Sequence, residues 1–365
     1  MRNTVATAIS FLYMCAIPLS ILGFFIGPLI LKLMNVPDDV FPLALLYLRI
    51  YLAGLPVILL YNFEAAVFRS VGETKIPLIA LTASGVLNVI LNLFFVAVLH
   101  MSVDGVAIAT VLSNAVSAAI LWVFLLKTDK VIRLEPKKLR IDGLCLKQIL
   151  RIGVPAGVQS AMFSIANIVI QGAINSLGTV VMAASSAAYN IEVITYDILN
   201  SFSQACTTFV GQNFGAGEIK RCKKTLLLCL LEGIISLGVA IALILFFGKS
   251  LLTIFNGDPQ VVETGYIRLM LIMPSHLFSL CYEVLSGYLR GFGISLTPAL
   301  ITMICVCGIR FYWVFCVFPH FRTFANIMMV YPISLGTTAF FMVVAVLLCH
   351  PARPYRATQA KATAR

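Results

Sequence analysis

The sequence predicts an all-α integral membrane protein built as two pseudo-symmetric helical bundles, four transmembrane helices followed by six. Three observations carry that expectation. Of the 365 residues 60% are hydrophobic and 11% charged, with a mean hydropathy of +0.99, more apolar surface than a water-soluble fold of this size can bury. Shifted against itself by 221 residues, the chain matches its own pattern without a gap from Thr4 to Pro77. Phe25, Gly27, Tyr61, Arg69, Gly72 and Pro77 then meet Phe246, Gly248, Tyr282, Arg290, Gly293 and Pro298. Loops tolerate insertions, so an ungapped register across three of them indicates two halves of the same geometry, as in repeat-built secondary transporters. Finally, the cations collect in alternate loops.

Crossing the hydrocarbon takes ~20 apolar residues, and suitable runs follow one another along the chain. They are expected near 5–31, 41–68, 76–99, 104–126, 147–176, 180–210, 225–247, 262–289, 296–318 and 324–349. Residues 1–27, with Arg2 before an apolar run, have the outline of a signal peptide, but the run is too long and lacks a clear small-residue cleavage site. Its match to residues 225–248 favours a retained span. Met1 falls opposite Cys222, so residues 147–217 have no first-half partner and the first copy is expected to lack an opening helix pair. Pro18, Pro56, Pro155, Pro274 and Pro332 lie within or at the start of spans, where each frees a carbonyl and permits a bend.

The net charge of +11 is explained by location rather than by nucleic acid. Arg2, Arg69, Lys75, the eight cations from Lys127 to Arg151, the quartet Lys220, Arg221, Lys223 and Lys224, Arg290 and four tail residues are 20 of the 26 Lys and Arg. All fall on one side if ten spans alternate, which makes that side cytoplasmic with both termini inside. The other loops, such as NVPDD at 35–39 and NGDPQ at 256–260, are cation-poor. The expected division is an N-terminal bundle at 1–127, a basic linker at 128–146, a C-terminal bundle at 147–350 and a basic tail at 351–365. Ten cysteines, mostly inside apolar runs, have no ligand spacing and are expected to pack as small hydrophobic groups. The four histidines are scattered. His276 could sense protons, but nothing in the sequence supplies it with a partner.

Polar residues inside the fifth and sixth spans carry the chemistry. After Pro155, the residues Ser160, Ser164, Asn167, Gln171 and Asn175 lie on one narrow helix stripe, which in lipid must face protein or water. On the sixth span Tyr189, Asn190, Glu192, Tyr196, Asp197, Asn200, Ser203 and Gln204 occupy about half the circumference at about 100° per residue. That half is expected to look onto water, opposite Ile191, Ile194, Ile198 and Phe202. Carboxylates within spans are expensive and mark ion or substrate paths, which singles out Glu192 and Asp197. Glu283 aligns with Asn62, and Glu64 lies two residues beyond, so both halves place a polar, proton-capable group at similar depth. A pair between Glu283 and Arg310 on the next span would make Glu283 structural.

The runs FVGQNFGAGEIKR at 209–221, LRGFGISLTP at 289–298 with its twin FRSVGETKIP at 68–77, and GVPAGVQ at 153–159 resemble the multidrug and toxic compound extrusion (MATE) transporters. The resemblance covers nearly the whole chain. It implies helices three to six of that fold for residues 1–127 and seven to twelve for 147–350. It also implies a multi-pass plasma-membrane protein that is not an enzyme, works as a monomer without a cofactor, and exports cationic, often aromatic compounds in exchange for H⁺ or Na⁺. The family's first-lobe acid lies in the missing helices, and GVQSAMFSIAN lacks the seventh-helix glutamate of the sodium-coupled branch. Coupling is therefore expected at Glu283 with Glu192 or Asp197, with Glu64 as a further candidate, and H⁺ is favoured over Na⁺. The cargo cavity is expected to use Asn62, Asn167, Gln171, Asn175, Tyr189, Asn190, Tyr196, Asn200 and Gln204. Two alternatives stand beside this: a lipid-linked oligosaccharide flippase, with Arg49, Arg268 and Arg310 as its cavity arginines, and a truncated fragment that does not transport.

Overall fold

A computed structural model describes residues 2–33, 40–136 and 139–349. Among them lie ten helical segments and no strand: α1 (Arg2–Leu33), α2 (Phe41–Ser70), α3 (Lys75–Val98), α4 (Val103–Lys127), α5 (Gly143–Asn175), α6 (Thr179–Gly215), α7 (Ile219–Phe255), α8 (Pro259–Gly291), α9 (Leu296–Val317) and α10 (Phe324–Cys349). Nine are long and apolar enough to cross a bilayer; α6, the helix densest in polar side chains, falls outside that set. The fold is all-α and membrane-spanning. The NVPDD loop, Lys137 and Lys138 of the linker and the basic tail at 351–365 lie outside the described residues.

The chain divides into two compact units, Met1–Leu150 and Arg151–Arg365, with the boundary inside α5. In the N-terminal unit α2 packs against α1 and α4, and α3 against α4; in the C-terminal unit α8 packs against α6, α7 and α10.

The 221-residue repeat recurs as geometry. Gly72 and Gly293 both take positive φ, 78° and 79°, a conformation that glycine adopts without strain. Each closes its helix with the same bonds. Gly72 N donates to Arg69 O (2.9 Å) and Glu73 N to Phe68 O (3.0 Å), while Gly293 N donates to Arg290 O (2.8 Å) and Ile294 N to Leu289 O (3.0 Å). A Cβ on Gly27 would meet Leu45 and Leu48, and one on Gly248 would meet Tyr266 and Leu269, residues related by the same shift. Phe25 and Phe246, also equivalent, are 75% and 81% exposed, as expected of side chains that face lipid.

The basic linker is less of a free tether than its composition suggests. Ile132 and Leu134 are buried in the N-terminal core with Leu121 and Leu125, and Leu134 N donates to Leu125 O at 3.0 Å. Lys130 Nζ reaches Glu73 Oε2 at 2.9 Å, and this hydrogen bond holds the Glu73 carboxyl below its ordinary range. Asp142 starts α5: its Oδ1 accepts from Leu144 N (2.9 Å) and Cys145 N (3.1 Å), and its own N donates to Thr7 Oγ1 (3.0 Å). The backbone bonds from Cys145 and Leu144 hold the Asp142 carboxyl below its usual value. The contribution is therefore present above the ordinary aspartate range and lost as pH falls through the lowered value. Asp142→Ala is expected to speed amide exchange at residues 143–146 at neutral pH and to change little below the carboxylate range. Equal exchange at both pH values would show that the cap contributes nothing.

Candidate functional site: a charged cavity inside the C-terminal unit

Helix α6 approaches α8 closely because the facing positions are small. The buried stripe of α6 runs Ala184, Ser185, Ala188, Ile191, Glu192, Thr195, Leu199, Ser203, Cys206 and Val210. On α8, a Cβ at Gly287 would stand 2.5 Å from Ser203 O, and one at Gly291 2.7 Å from Val210 Cγ1. This stripe differs from the expected apolar half. Glu192 and Ser203, expected to look onto water, are buried against α8, while Ile194 is exposed.

The reason is an ion pair. Arg268 of α8 grips Glu192 with both prongs, Nε to Oε1 at 2.6 Å and Nη2 to Oε2 at 2.8 Å, and its Nη1 donates to Ser185 Oγ at 2.6 Å. Both partners are nearly inaccessible, 3% and 6% exposed. A bidentate fork is the geometry in which a buried carboxylate and guanidinium best satisfy one another. Beside it, His276 Nδ1 lies 2.7 Å from Thr195 Oγ1, so His276 does have the partner that sequence reasoning did not find for it.

This pair forms one wall of a cavity of about 450 Å³, within the size range of small-molecule sites. Asn167, Gln171 and Phe163 of α5, Tyr189, Glu192 and Tyr196 of α6, Arg268, His276 and Tyr282 of α8, Arg310 of α9 and Tyr331 of α10 line it. Arg310 is 1% exposed. Its Nη1 donates to Asn167 Oδ1 at 2.7 Å, and its Cζ lies 4.7 Å from the ring centroids of Phe163 and of Tyr331. The Tyr331 ring also lies 5.8 Å from Arg268 Cζ.

Of the residues expected to form the site, Asn167, Gln171, Tyr189, Tyr196 and Glu192 line this cavity. Asn175 is one turn beyond, with its Oδ1 accepting from Gln171 Nε2 at 2.8 Å. Asn190, Asp197 and Gln204 are exposed on α6, Asn200 is half-buried there, and none of the four lines the cavity. Glu283 pairs with Arg290, two turns along the same helix, at 3.3 Å. Arg310, the alternative partner weighed for Glu283, instead bonds Asn167, because Arg310 enters from α9 on the α5 side. Asn62 is exposed and donates to Ile58 O at 2.9 Å, whereas Glu64, about 200° further round α2, is fully buried. The two therefore do not form one site.

Glu64 has a different interest. Neither carboxyl oxygen has a hydrogen-bond partner among the described residues, and its helix face packs Leu60, Tyr61, Ala65 and Phe68 into the N-terminal core. Its equivalent under the repeat is Leu285, a buried core residue. The first copy thus holds a carboxyl where the second holds a leucine. From the sequence, Arg268 is a candidate cavity arginine for a flippase and Arg310 both that and a possible partner of Glu283; the structure instead gives Arg268 to Glu192 and Arg310 to Asn167. No cluster of three metal-ligating side chains occurs among the described residues.

Comparison with known proteins agrees with this architecture. The chain is 26% identical over 320 residues to the probable multidrug resistance protein YoeA of Bacillus subtilis (strain 168), covering 85% of this chain and 68% of that protein. It is 28% identical over 289 residues to the probable multidrug resistance protein YpnP of the same organism, covering 79% of this chain and 64% of that one. It therefore spans about two thirds of the length of these relatives. A crystal structure of MATE in complex with MaL6 superposes with a TM-score of 0.86 at 18% identity, over 98% of this chain and 80% of that one, which shows the shared fold. The family model MatE matches residues 1–94 and 155–315, the greater part of both units, and the chain belongs to the MatE family.

Proposed function

We propose that this chain exports small organic compounds across the plasma membrane by secondary antiport, with the cavity of the C-terminal unit as the cargo site. The family is one of transporters, not enzymes, and relatives are named for multidrug resistance. The observation that supports the reading is the cavity itself, about 450 Å³ of aromatic and polar wall enclosed by membrane helices. That size suits a drug-like compound and disfavours a lipid-linked oligosaccharide, even though Arg268 and Arg310 supply two of the arginines a flippase would want. The expected cationic cargo gains no support from the cavity lining, since Glu192 is held by Arg268, Glu283 by Arg290, and Asp197 lies outside the lining. The distribution of loop charge supports both termini on the cytoplasmic side, and a monomer is proposed on the family resemblance alone.

H⁺ is the favoured coupling ion, and Glu64 its carrier. An ionised carboxylate without a partner in an apolar enclosure costs several kcal/mol, so taking up or releasing one proton at Glu64 shifts which packing of α1, α2 and α4 is preferred. A hard cation needs several oxygen ligands, whereas the surroundings here are the apolar N-terminal core, with Tyr13 of α1 packed against it. Glu64→Gln keeps the shape and removes the exchange. In proteoliposomes with an imposed pH gradient it is expected to lower gradient-driven export of ethidium by about tenfold or more while leaving ethidium binding unchanged. Undiminished gradient-driven export by the variant would remove Glu64 from the coupling path.

A further inference from the structure

The cavity of the C-terminal unit carries one positive charge in excess. Its one lining carboxylate, Glu192, has both oxygens on Arg268. Arg310, the second lining guanidinium, forms no ion pair with any carboxylate among the described residues. Among the described residues it donates to the neutral amide of Asn167, and its Nε has no hydrogen-bond partner. Phe163 and Tyr331 cover the guanidinium, which eases its burial without neutralising it. A lone buried cation is costly and normally has an anion for company.

The backbone around it is unusual as well. Arg310 sits on a single α-turn, Ile309–Tyr312, between two π-helical stretches, Met303–Gly308 and Trp313–Val317. Such widened turns interrupt the regular hydrogen-bond ladder and recur at functional positions. A side chain of this cost, mounted on this backbone and lining a cavity, is what an anion-binding group requires.

We propose that the cavity takes the anionic group of an aromatic organic acid, a carboxylate or phosphate monoester, on the Arg310 guanidinium, with the ligand's ring against Tyr189 and Tyr196. The planar fork suits both oxyanions. Cavity volume allows one ring system with its acid. The proposal deepens the cargo-site reading and rests on it, and it assigns this cavity a preference for negative rather than positive groups.

Binding is measured on the purified chain in detergent with 2-naphthoate and 1-naphthyl phosphate as the two anionic probes, 2-naphthol as the neutral control and ethidium as the cation. Two variants test Arg310 from opposite directions. Arg310→Gln removes the charge. Asn167→Asp places a carboxylate at the 2.7 Å contact and gives Arg310 a permanent partner. Both are expected to weaken anion binding by about tenfold or more relative to any change in 2-naphthol binding. Asn167→Asp is also expected to raise the thermal midpoint, whereas a merely structural Arg310 would leave anion binding unmoved in that folded variant. Should Arg310→Gln fail to fold, Asn167→Asp carries the test alone. Equal naphthoate and naphthyl phosphate affinity in wild type and Asn167→Asp overturns the proposal, as does wild-type protein that binds ethidium but neither anion. Proteoliposomes separate the two readings. Naphthoate that binds through Arg310 but is never moved leaves the anion site standing and removes the cargo reading; naphthoate moved equally well by Arg310→Gln leaves the cargo reading and removes the anion site.

Discussion

Glu192→Ala is expected to be the most destabilising single substitution among the charged residues of the C-terminal unit, at about 3–5 kcal/mol. The loss is not the value of the pair itself. It arises because Arg268, 3% exposed, keeps its charge with no carboxylate to receive Nε and Nη2, and only Ser185 Oγ remains in contact. Burial of two charges nearly cancels their attraction, so removing both is far milder than removing one. The double variant Glu192→Leu with Arg268→Met is accordingly expected to recover most of the stability lost by Glu192→Ala. Thermal unfolding in one detergent, with all three proteins at the same concentration, reads the difference. A midpoint for Glu192→Ala equal to that of the double variant would mean that water or a neighbouring group already compensates Arg268, and that the fork is not what joins α6 to α8 at this depth.

Gly287→Ala is the second large effect, expected at about 1–3 kcal/mol from overpacking. A methyl at this position would stand 2.5 Å from Ser203 O and 2.9 Å from Thr207 Oγ1. The nearest obstacle is helix backbone and cannot rotate away, so α6 has to shift. Ser203 is also the hub of a small polar group: its Oγ donates to Glu283 O at 2.8 Å and lies 3.3 Å from Arg290 Nη2, which in turn pairs with Glu283. Displacing α6 therefore opens the Glu283–Arg290 contact as well as the helix seam. Hydrogen exchange along residues 200–210 and 284–291 is expected to rise together. A rise confined to one helix would indicate local repacking instead of a separated seam.

Much of the architecture was legible because membrane helices announce themselves by length and apolarity, and because a repeat can be read without coordinates. Gly72 and Gly293 illustrate this: the same residue at the same shift makes the same left-handed turn. The amide stripe of α5 was equally readable, since rotational phase along one helix follows from spacing alone, and its Asn167 and Gln171 do line the cavity. Helix α6 was read less well. Its polar residues spread over half the circumference, and spacing places them on a wheel without saying which arc meets another helix. Glu192 turned inward and Asp197 outward for a reason that lies on α8.

The amino-acid sequence by itself determined the membrane class, the helix succession, the duplicated geometry and which charged residues lie within the helices, since each depends on residues near one another or on composition. The tertiary structure alone decided which charge meets which. Glu192 and Arg268 are 76 residues apart, and Asn167 and Arg310 are 143 apart. Within the C-terminal unit, Glu192 and Glu283 could each meet Arg268, Arg290 or Arg310, and only the rotation and depth of each packed helix selects the pairing that leaves Arg310 without an ionic partner among the described residues.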